Sequence, residues 1–256
     1  MKIGILTKPV ISEQNFKVIN TILEDKNFQI VLAVIDCRPK LSLKKKLLKN
    51  IKKGRGGYIL IMFFQKVFSN KEVHYRIKDI CQSKGIDTIE TLSPYSPETL
   101  SKISSCNPGI LLLINGFGII KKDLLSITPL GILSYHHGNM RKYRGMPPAF
   151  WELYNNEKEI GVTVQKLDKG LDCGIPIEEK TFLIKKTDTV KSLQKRIYSE
   201  STGMMHRALI NISNPDYKIT KIETFGKVYT LPNLRQWLIL QMKLLIRRIM
   251  NFRNPE

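Results

Sequence analysis

Gly109-Ile110-Leu111-Leu112-Leu113-Ile114-Asn115-Gly116-Phe117-Gly118 decides the fold of this chain. An unbroken apolar run without polar alternation predicts a strand buried on both faces, and the glycine-punctuated Asn-Gly-Phe-Gly predicts a sharp exit from its end. Similar runs recur on either side: residues 3–6 stop at Thr7-Lys8-Pro9, residues 30–35 read Ile-Val-Leu-Ala-Val-Ile, and residues 132–135 lead into His136, while residues 86–91 read as a short strand. Between the first two, Phe16, Val18, Ile19, Ile22 and Leu23 fall at helical spacing within residues 15–25, and residues 75–83 read as another helix. Residues 162–167 and 177–183 read as strands, and residues 189–210 as one long helix starting after Asp188. Strands alternating with helices predict an α/β fold, doubly wound around a mostly parallel sheet. In such sheets ligands gather beyond the carboxyl ends of the strands, where both the Asn115 loop and the His136 loop lie.

Charge sets a second boundary. Forty-two Lys and Arg against 22 Asp and Glu give a formal net charge of +20. Such an excess suits phosphate-rich partners, namely a nucleotide-linked substrate, nucleic acid or an anionic membrane surface, and it also suits a generally basic proteome. The basic stretch 41–55, with Lys44, Lys45, Lys46, Lys49, Lys52, Lys53 and Arg55, reads as a solvated helix plus loop ending at Gly56-Gly57. Cys37, Cys81, Cys106 and Cys173 show no Cys-x-x-Cys spacing, which points to a reducing compartment rather than a disulfide framework or a zinc site. The N-terminus enters a strand at once without a signal-peptide pattern, and no apolar run has membrane-spanning length. The expected location is cytoplasmic, with peripheral membrane contact left open by the tail.

That tail begins after Asn211, where Asn214-Pro215-Asp216 forms a turn. Residues 234–252 are rich in apolar residues, with Trp237 and with Arg235, Lys243, Arg247 and Arg248 interspersed. A basic amphipathic helix of this kind fits a membrane interface, a partner groove, a dimer seam or the domain's own core. The chain therefore divides into residues 1–210 and a C-terminal extension, 211–256.

The chemistry-bearing residues lie in two loops. Ser134-Tyr135-His136-His137-Gly138-Asn139-Met140-Arg141-Lys142-Tyr143-Arg144-Gly145-Met146-Pro147-Pro148 follows a strand, and Gly170-Leu171-Asp172-Cys173-Gly174 returns later. A histidine at a strand end and an aspartate in a glycine-bracketed loop make a plausible acid–base pair once folding joins them. His74 and His206 fall on expected helices and carry no motif.

This pattern resembles the N10-formyltetrahydrofolate-dependent formyltransferases. Their signature runs Asn-x-His, a few variable residues, then Leu-Pro-x-Tyr-Arg-Gly, with Asp-x-Gly further on. Tyr143-Arg144-Gly145 places His136 on the family histidine and Asp172 on the family aspartate. The resemblance implies a Rossmann-like core, a metal-free transfer of formyl to a primary amine, and N10-formyltetrahydrofolate as co-substrate. His136 would be the proton shuttle and Asp172 its partner. The backbone of Asn115, Gly116, Phe117 and Gly118 would hold the pterin ring, while Lys8, Asn139 and Arg144 are candidates for substrate anions. One departure stands out: the family asparagine two residues before the histidine is Ser134 here, and Leu-Pro becomes Met140-Arg141. Losing an oxyanion donor costs about 3–4 kcal/mol in barrier. Ser134, Asn115 or Asn139 would have to take its place, or activity is compromised.

The methionyl-tRNA branch of the family carries a C-terminal barrel of about a hundred residues, longer than the tail here. The run from Tyr143 to Trp151 is similar to the amino-sugar and tRNA branches, which implies a phosphate-bearing amino sugar, nucleotide- or lipid-linked, as acceptor. Two rivals stand beside that reading: a hydrolase releasing formate from the folate, and a degenerate basic module binding RNA or anionic lipid.

Overall fold

The computed structural model describes residues 1–39, 42–52 and 73–253. In chain order the elements begin β1 (Lys2–Thr7), β2 (Val10–Ser12), α1 (Glu13–Leu23), β3 (Gln29–Asp36), α2 (Leu43–Lys52), β4 (His74–Arg76), α3 (Ile77–Lys84), β5 (Asp87–Thr91) and α4 (Pro97–Ser105). They continue through β6 (Ile110–Leu113), α5 (Lys122–Leu125), β7 (Ile132–His136), β8 (Tyr143–Gly145), α6 (Phe150–Tyr154), β9 (Glu159–Lys166) and β10 (Ile175–Leu183). The last elements are α7 (Val190–Glu200), α8 (Met204–Ser213), β11 (Lys227–Tyr229) and α9 (Leu234–Arg253). Part of the basic stretch, positions 41 and 53–57, lies outside the described residues; the rest contains α2.

Seven strands form one sheet in the order β10-β9-β7-β6-β1-β3-β5. From β7 to β5 every pairing is parallel, and β9 and β10 add an antiparallel edge. This is the doubly wound, mostly parallel sheet expected from the apolar runs. Those runs are unbroken because both faces are covered. Ile3, Ile5, Ile110, Leu112 and Leu133 point to a core completed by α1 and α8, whose Val18, Ile19, Ile22, Met205, Ala208 and Leu209 are buried. Leu6, Leu32, Val34, Leu111 and Ile132 point the other way, onto Ile103 of α4 and Leu124 of α5.

Local signals start the helices where side chains satisfy free backbone N–H groups. Ser12 accepts from Asn15 N, Ser96 accepts from Thr99 N ahead of Pro97, and Thr189 and Ser192 cap each other reciprocally. Two expectations need correction. His74 lies in the short strand β4, paired with β2, and not on a helix. The single helix expected over 189–210 is two helices, α7 and α8, parted at Ser201-Thr202-Gly203. The Tyr135 hydroxyl shares its one hydrogen between the Ser201 and Thr202 carbonyls, 2.7 and 3.1 Å away, and accepts from Met205 N at 3.0 Å. A side chain from the sheet thus takes over the backbone groups that a continuous helix would have paired internally.

The chain after Ser213 returns to the body of the molecule. β11 pairs in parallel with β8, residue for residue from Lys227↔Tyr143 to Tyr229↔Gly145. Leu240 of α9 is completely buried in the core, Lys243 Nζ donates to Tyr154 O at 2.7 Å, and Arg247 donates to Asp188 O.

Candidate active site

Strand alternation sorts the residues at the end of β7. Ser134 and His136 share one face, while Tyr135 and His137 share the other, so the adjacent histidines have opposite fates. His137 packs its ring between Tyr135 (centroids 5.3 Å) and Tyr198 (4.4 Å). Burial there, with the neighbouring His136 second, pushes its pKa down to about 3, so it stays neutral.

His136 is 6 % exposed. Its Nε2 lies 2.8 Å from the Tyr143 carbonyl and its Nδ1 lies 3.4 Å from Asp172 Oδ2. A carbonyl oxygen only accepts, so Nε2 keeps its proton, and Nδ1 is the nitrogen that can gain or lose one. Burial pulls the imidazole pKa down, but the hydrogen bond and charge of Asp172, with the Tyr143 carbonyl, outweigh it and leave the pKa raised. For Asp172 burial works upward, and it is overcome by His136, the Gly145 N–H and Gln165, so its pKa is lowered. Asp172 thus makes Nδ1 a stronger base and stabilises the imidazolium formed once Nδ1 takes up a proton. At 3.4 Å the contact is longer than an ordinary N–H···O bond, and catalytic contacts of this type tighten around a substrate.

Asp172 sits in the left-handed region, φ +48°, inside its glycine-bracketed loop. Its Oδ2 accepts the Gly145 N–H at 2.7 Å, tying the Asp loop to the Tyr-Arg-Gly strand β8. Gly145 has to be glycine: its φ is +89°, and a Cβ would lie 2.1 Å from Tyr229 O of β11. The extension thus packs against the strand that holds the Asp172 carboxylate.

The other expected residues fall in several places. Asn115 Oδ1 accepts from Thr7 Oγ1 at 2.9 Å and Lys8 N at 2.7 Å, and its Nδ2 donates to Val10 O at 3.2 Å. Its amide clasps the ends of β1 and β6, where the strand order reverses. Gly116, Phe117 and Gly118 all have positive φ, and the Phe117 ring is buried in the core. Lys8 Nζ pairs with Asp36 at 2.9 Å, and Arg38 forks onto the same carboxylate with both bonds at 2.8 Å. Asp36 is completely buried; burial pushes its pKa up, and the Arg38 and Lys8 contacts win and bring it to about 2. Arg144 spends Nε on Gly226 O at 2.7 Å and Nη1 on Leu171 O and Cys173 Sγ, stapling the Asp loop to the extension. Asn139 Oδ1 caps Arg141 N at 2.9 Å, and Ser134 Oγ donates to its neighbour's carbonyl, Tyr135 O, at 3.4 Å.

Two further groups at the site carry no sequence signal. Glu152, 3 % exposed on α6, lines a small cavity of about 10 Å³ together with His136, Tyr143, Trp151 and Tyr229. Burial pushes its pKa up to about 7, against weaker pulls from backbone N–H groups and His136. Gln165, 1 % exposed on β9, donates Nε2 to Asp172 Oδ1 at 3.4 Å and accepts the Gly174 N–H at 3.0 Å. Glu152 follows a proline turn and Gln165 sits among strand residues, so their burial beside the histidine and aspartate emerges only on folding. Among the described residues no cluster of His, Cys, Asp or Glu could hold a metal ion.

A doubly wound sheet with a buried imidazole–carboxylate pair at its carboxyl edge is an arrangement that can move protons in acid–base chemistry. Residues 65–209 match the family described as Formyl transferase, more than half of the chain, and the protein belongs to that family. It is 28 % identical over 134 residues to the methionyl-tRNA formyltransferase of Caldanaerobacter subterraneus subsp. tengcongensis, covering 52 % of this chain and 43 % of that protein. With the enzyme of the same description from Trichlorobacter lovleyi it shares 31 % identity over 121 residues, 47 % of this chain and 38 % of that one. The match therefore spans less than half the length of these relatives. Among solved structures, an N-formyltransferase from Helicobacter canadensis in complex with folinic acid and dTDP-3-aminofucose superposes with TM-score 0.60 at 15 % identity, over 96 % of this chain and 81 % of that one. Glycinamide ribonucleotide transformylase 1 from Symbiobacterium toebii gives 0.60 at 15 %, over 87 % and 94 %. At these identities the likeness is one of fold.

Proposed function

We propose that the protein transfers the formyl group of N10-formyltetrahydrofolate to the primary amine of an amino sugar. The contact of His136 Nδ1 with Asp172, within the fold of a formyl transferase, carries this reading. The amine nitrogen attacks the formyl carbon and a tetrahedral oxyanion forms. His136 Nδ1 takes the proton from the attacking nitrogen, and the proton returns to the departing N10 as the carbonyl reforms. Asp172 holds the imidazolium in between. The backbone of residues 115–118 is the proposed seat of the pterin, its peptide groups presented because the Phe117 ring turns into the core. Residues 1–210 carry the chemistry, and residues 211–256 brace the site through the pairing of β11 with β8.

The amino-sugar assignment draws on the aromatic surroundings of the site, Trp151, Tyr154 and Tyr229, and on the superposition over nearly the whole chain with an enzyme crystallised with an amino-sugar nucleotide. The +20 charge suits a phosphate-bearing acceptor. The exposed apolar side of α9 suits contact with an anionic bilayer, where a lipid-linked acceptor would be found.

Incubation with N10-formyltetrahydrofolate and a panel of amino-sugar nucleotides, read by mass spectrometry, tests the reading. N-formylated sugar is the expected product. Formate alone would identify a hydrolase, and no turnover would leave the degenerate binding module favoured by Ser134. In the active case His136→Ala should lower kcat by about 10²–10⁴-fold. Turnover near the parent rate would remove His136 from its role.

A further inference from the structure

The antiparallel register of β7 and β9 sets Ser134 opposite Gln165 and His136 opposite Thr163. Directly paired residues project to the same side of a sheet, so these four polar side chains share one face beside Asp172. A carbonyl under attack on that face needs a hydrogen-bond donor for its oxyanion. The hydroxyls there are turned to backbone carbonyls, Ser134 to Tyr135 O and Thr163 to Gly138 O, both at 3.4 Å. The Asn115 amide is held at the ends of β1 and β6, its Oδ1 by Thr7 Oγ1 and Lys8 N and one of its Nδ2 hydrogens by Val10 O.

Gln165 differs from these. The Gly174 N–H fixes its Oε1, which leaves the NH2 end facing Asp172. Gly174 itself is required by this arrangement, because a Cβ there would lie 2.6 Å from Gln165 Oε1 and 2.3 Å from Lys166 O. The Gly of Asp-Cys-Gly thus lets the backbone approach the amide and orient it. Of the two amide hydrogens, Asp172 Oδ1 takes one at 3.4 Å. We propose that Gln165 is a catalytic residue of this site: one amide hydrogen holds Asp172 against His136, and the other donates to the oxygen of the formyl group as it becomes an oxyanion.

This inference rests on the formyl-transfer reading and adds a residue to it. Gln165→Met keeps a side chain of similar size without the amide, and Gln165→Glu keeps the shape but replaces NH2 by oxygen. Each should lower kcat by about 10²-fold, the scale of one lost oxyanion donor, with KM for the formyl donor changed little. Ser134→Asn, added to Gln165→Met, places a carboxamide on the same face from the paired position and should recover at least a tenth of the lost activity. Circular dichroism on each variant confirms that folded protein is compared. Parent-like kcat in either Gln165 variant, or a loss that Ser134→Asn leaves untouched, overturns the proposal. A parent enzyme that transfers no formyl group sinks the wider reading instead, so the two failures are distinct.

Discussion

At the scale of the residue, the site turns on opposed environments for groups of similar chemistry. His136 and His137 are neighbours in sequence, yet the first gains a carboxylate and stays protonatable, while the second is enclosed by tyrosines and stays neutral. Asp172 and Glu152 both lie close to His136, and they shift in opposite directions. Burial dominates at Glu152, whereas partners win at Asp172. A carboxyl raised from 4.5 to about 7 contributes stability that is complete below pH 4.5 and lost as pH climbs through 7, worth up to about 3 kcal/mol. The raised pKa of His136 adds to stability in the same sense, and that contribution fades as pH rises through its folded value. The lowered pKa of Asp172 acts the other way, its contribution being lost as acid brings pH below 3.8. Glu152→Gln removes the ionisation while keeping an oxygen for the N–H groups that its carboxyl accepts. Its melting temperature should match the parent at pH 5 and exceed it by about 5 °C at pH 8, given about 2–4 °C per kcal/mol for a domain of this size. Thermal denaturation at the two pH values decides it, and equal melting at pH 8 would show that Glu152 ionises without cost.

At the scale of the element, what could be read in the sequence was local. The buried strands announce themselves as unbroken apolar runs, and their carboxyl ends deliver the Asn115 and His136 loops where the alternation of elements placed them. The break between α7 and α8 carries no such signal, because its cause is Tyr135, 66 residues upstream of Ser201. β8 and β11 span three residues each, too short to show a period, and they exist because they pair with each other. Gln165 and Glu152 carry no local signal for the same reason: register and burial decide their surroundings, and neither is a property of the local sequence. Tyr135→Phe tests the account of the helix break. It leaves the Met205 N–H and the Ser201 carbonyl without their side-chain partner, at a cost of about 1–3 kcal/mol. Chemical denaturation should report that loss. Because Tyr135 faces away from His136, kcat should stay within about twofold of the parent; a stable variant with unchanged midpoint would assign the break to the Thr202-Gly203 sequence alone.

At the scale of the whole molecule, charge and apolar surface converge on α9. One side of this helix is anchored by Leu240, Lys243 and Arg247, while Leu238, Met242, Leu245, Ile246, Ile249 and Met250 are each about half to two-thirds exposed on the other. Their spacing draws a stripe about 18 Å long at 1.5 Å per residue. The helix carries Arg235 and Arg248 exposed and no acidic residue, on a chain of net charge +20. Two copies meeting along this stripe would bring like charges together, whereas an anionic bilayer accepts both the apolar side chains and the arginines. No described helix is long and apolar enough to cross a membrane, and contact of α9 with a bilayer would be that of a helix lying in the interface. Each apolar side chain buried contributes about 1.5–3 kcal/mol, and each basic residue near the surface about 1 kcal/mol. The protein should therefore co-sediment with vesicles containing phosphatidylglycerol and not with pure phosphatidylcholine, and binding should weaken as salt rises from about 0.1 to 0.5 M. Met242→Asp with Ile246→Asp should reduce binding at least tenfold while formyl transfer to a soluble acceptor is retained, since both side chains point away from the anchored face. Equal binding to neutral vesicles would remove the electrostatic half of the argument. A parent dimer in analytical ultracentrifugation that the same double substitution dissolves would give the stripe to a second copy of the chain.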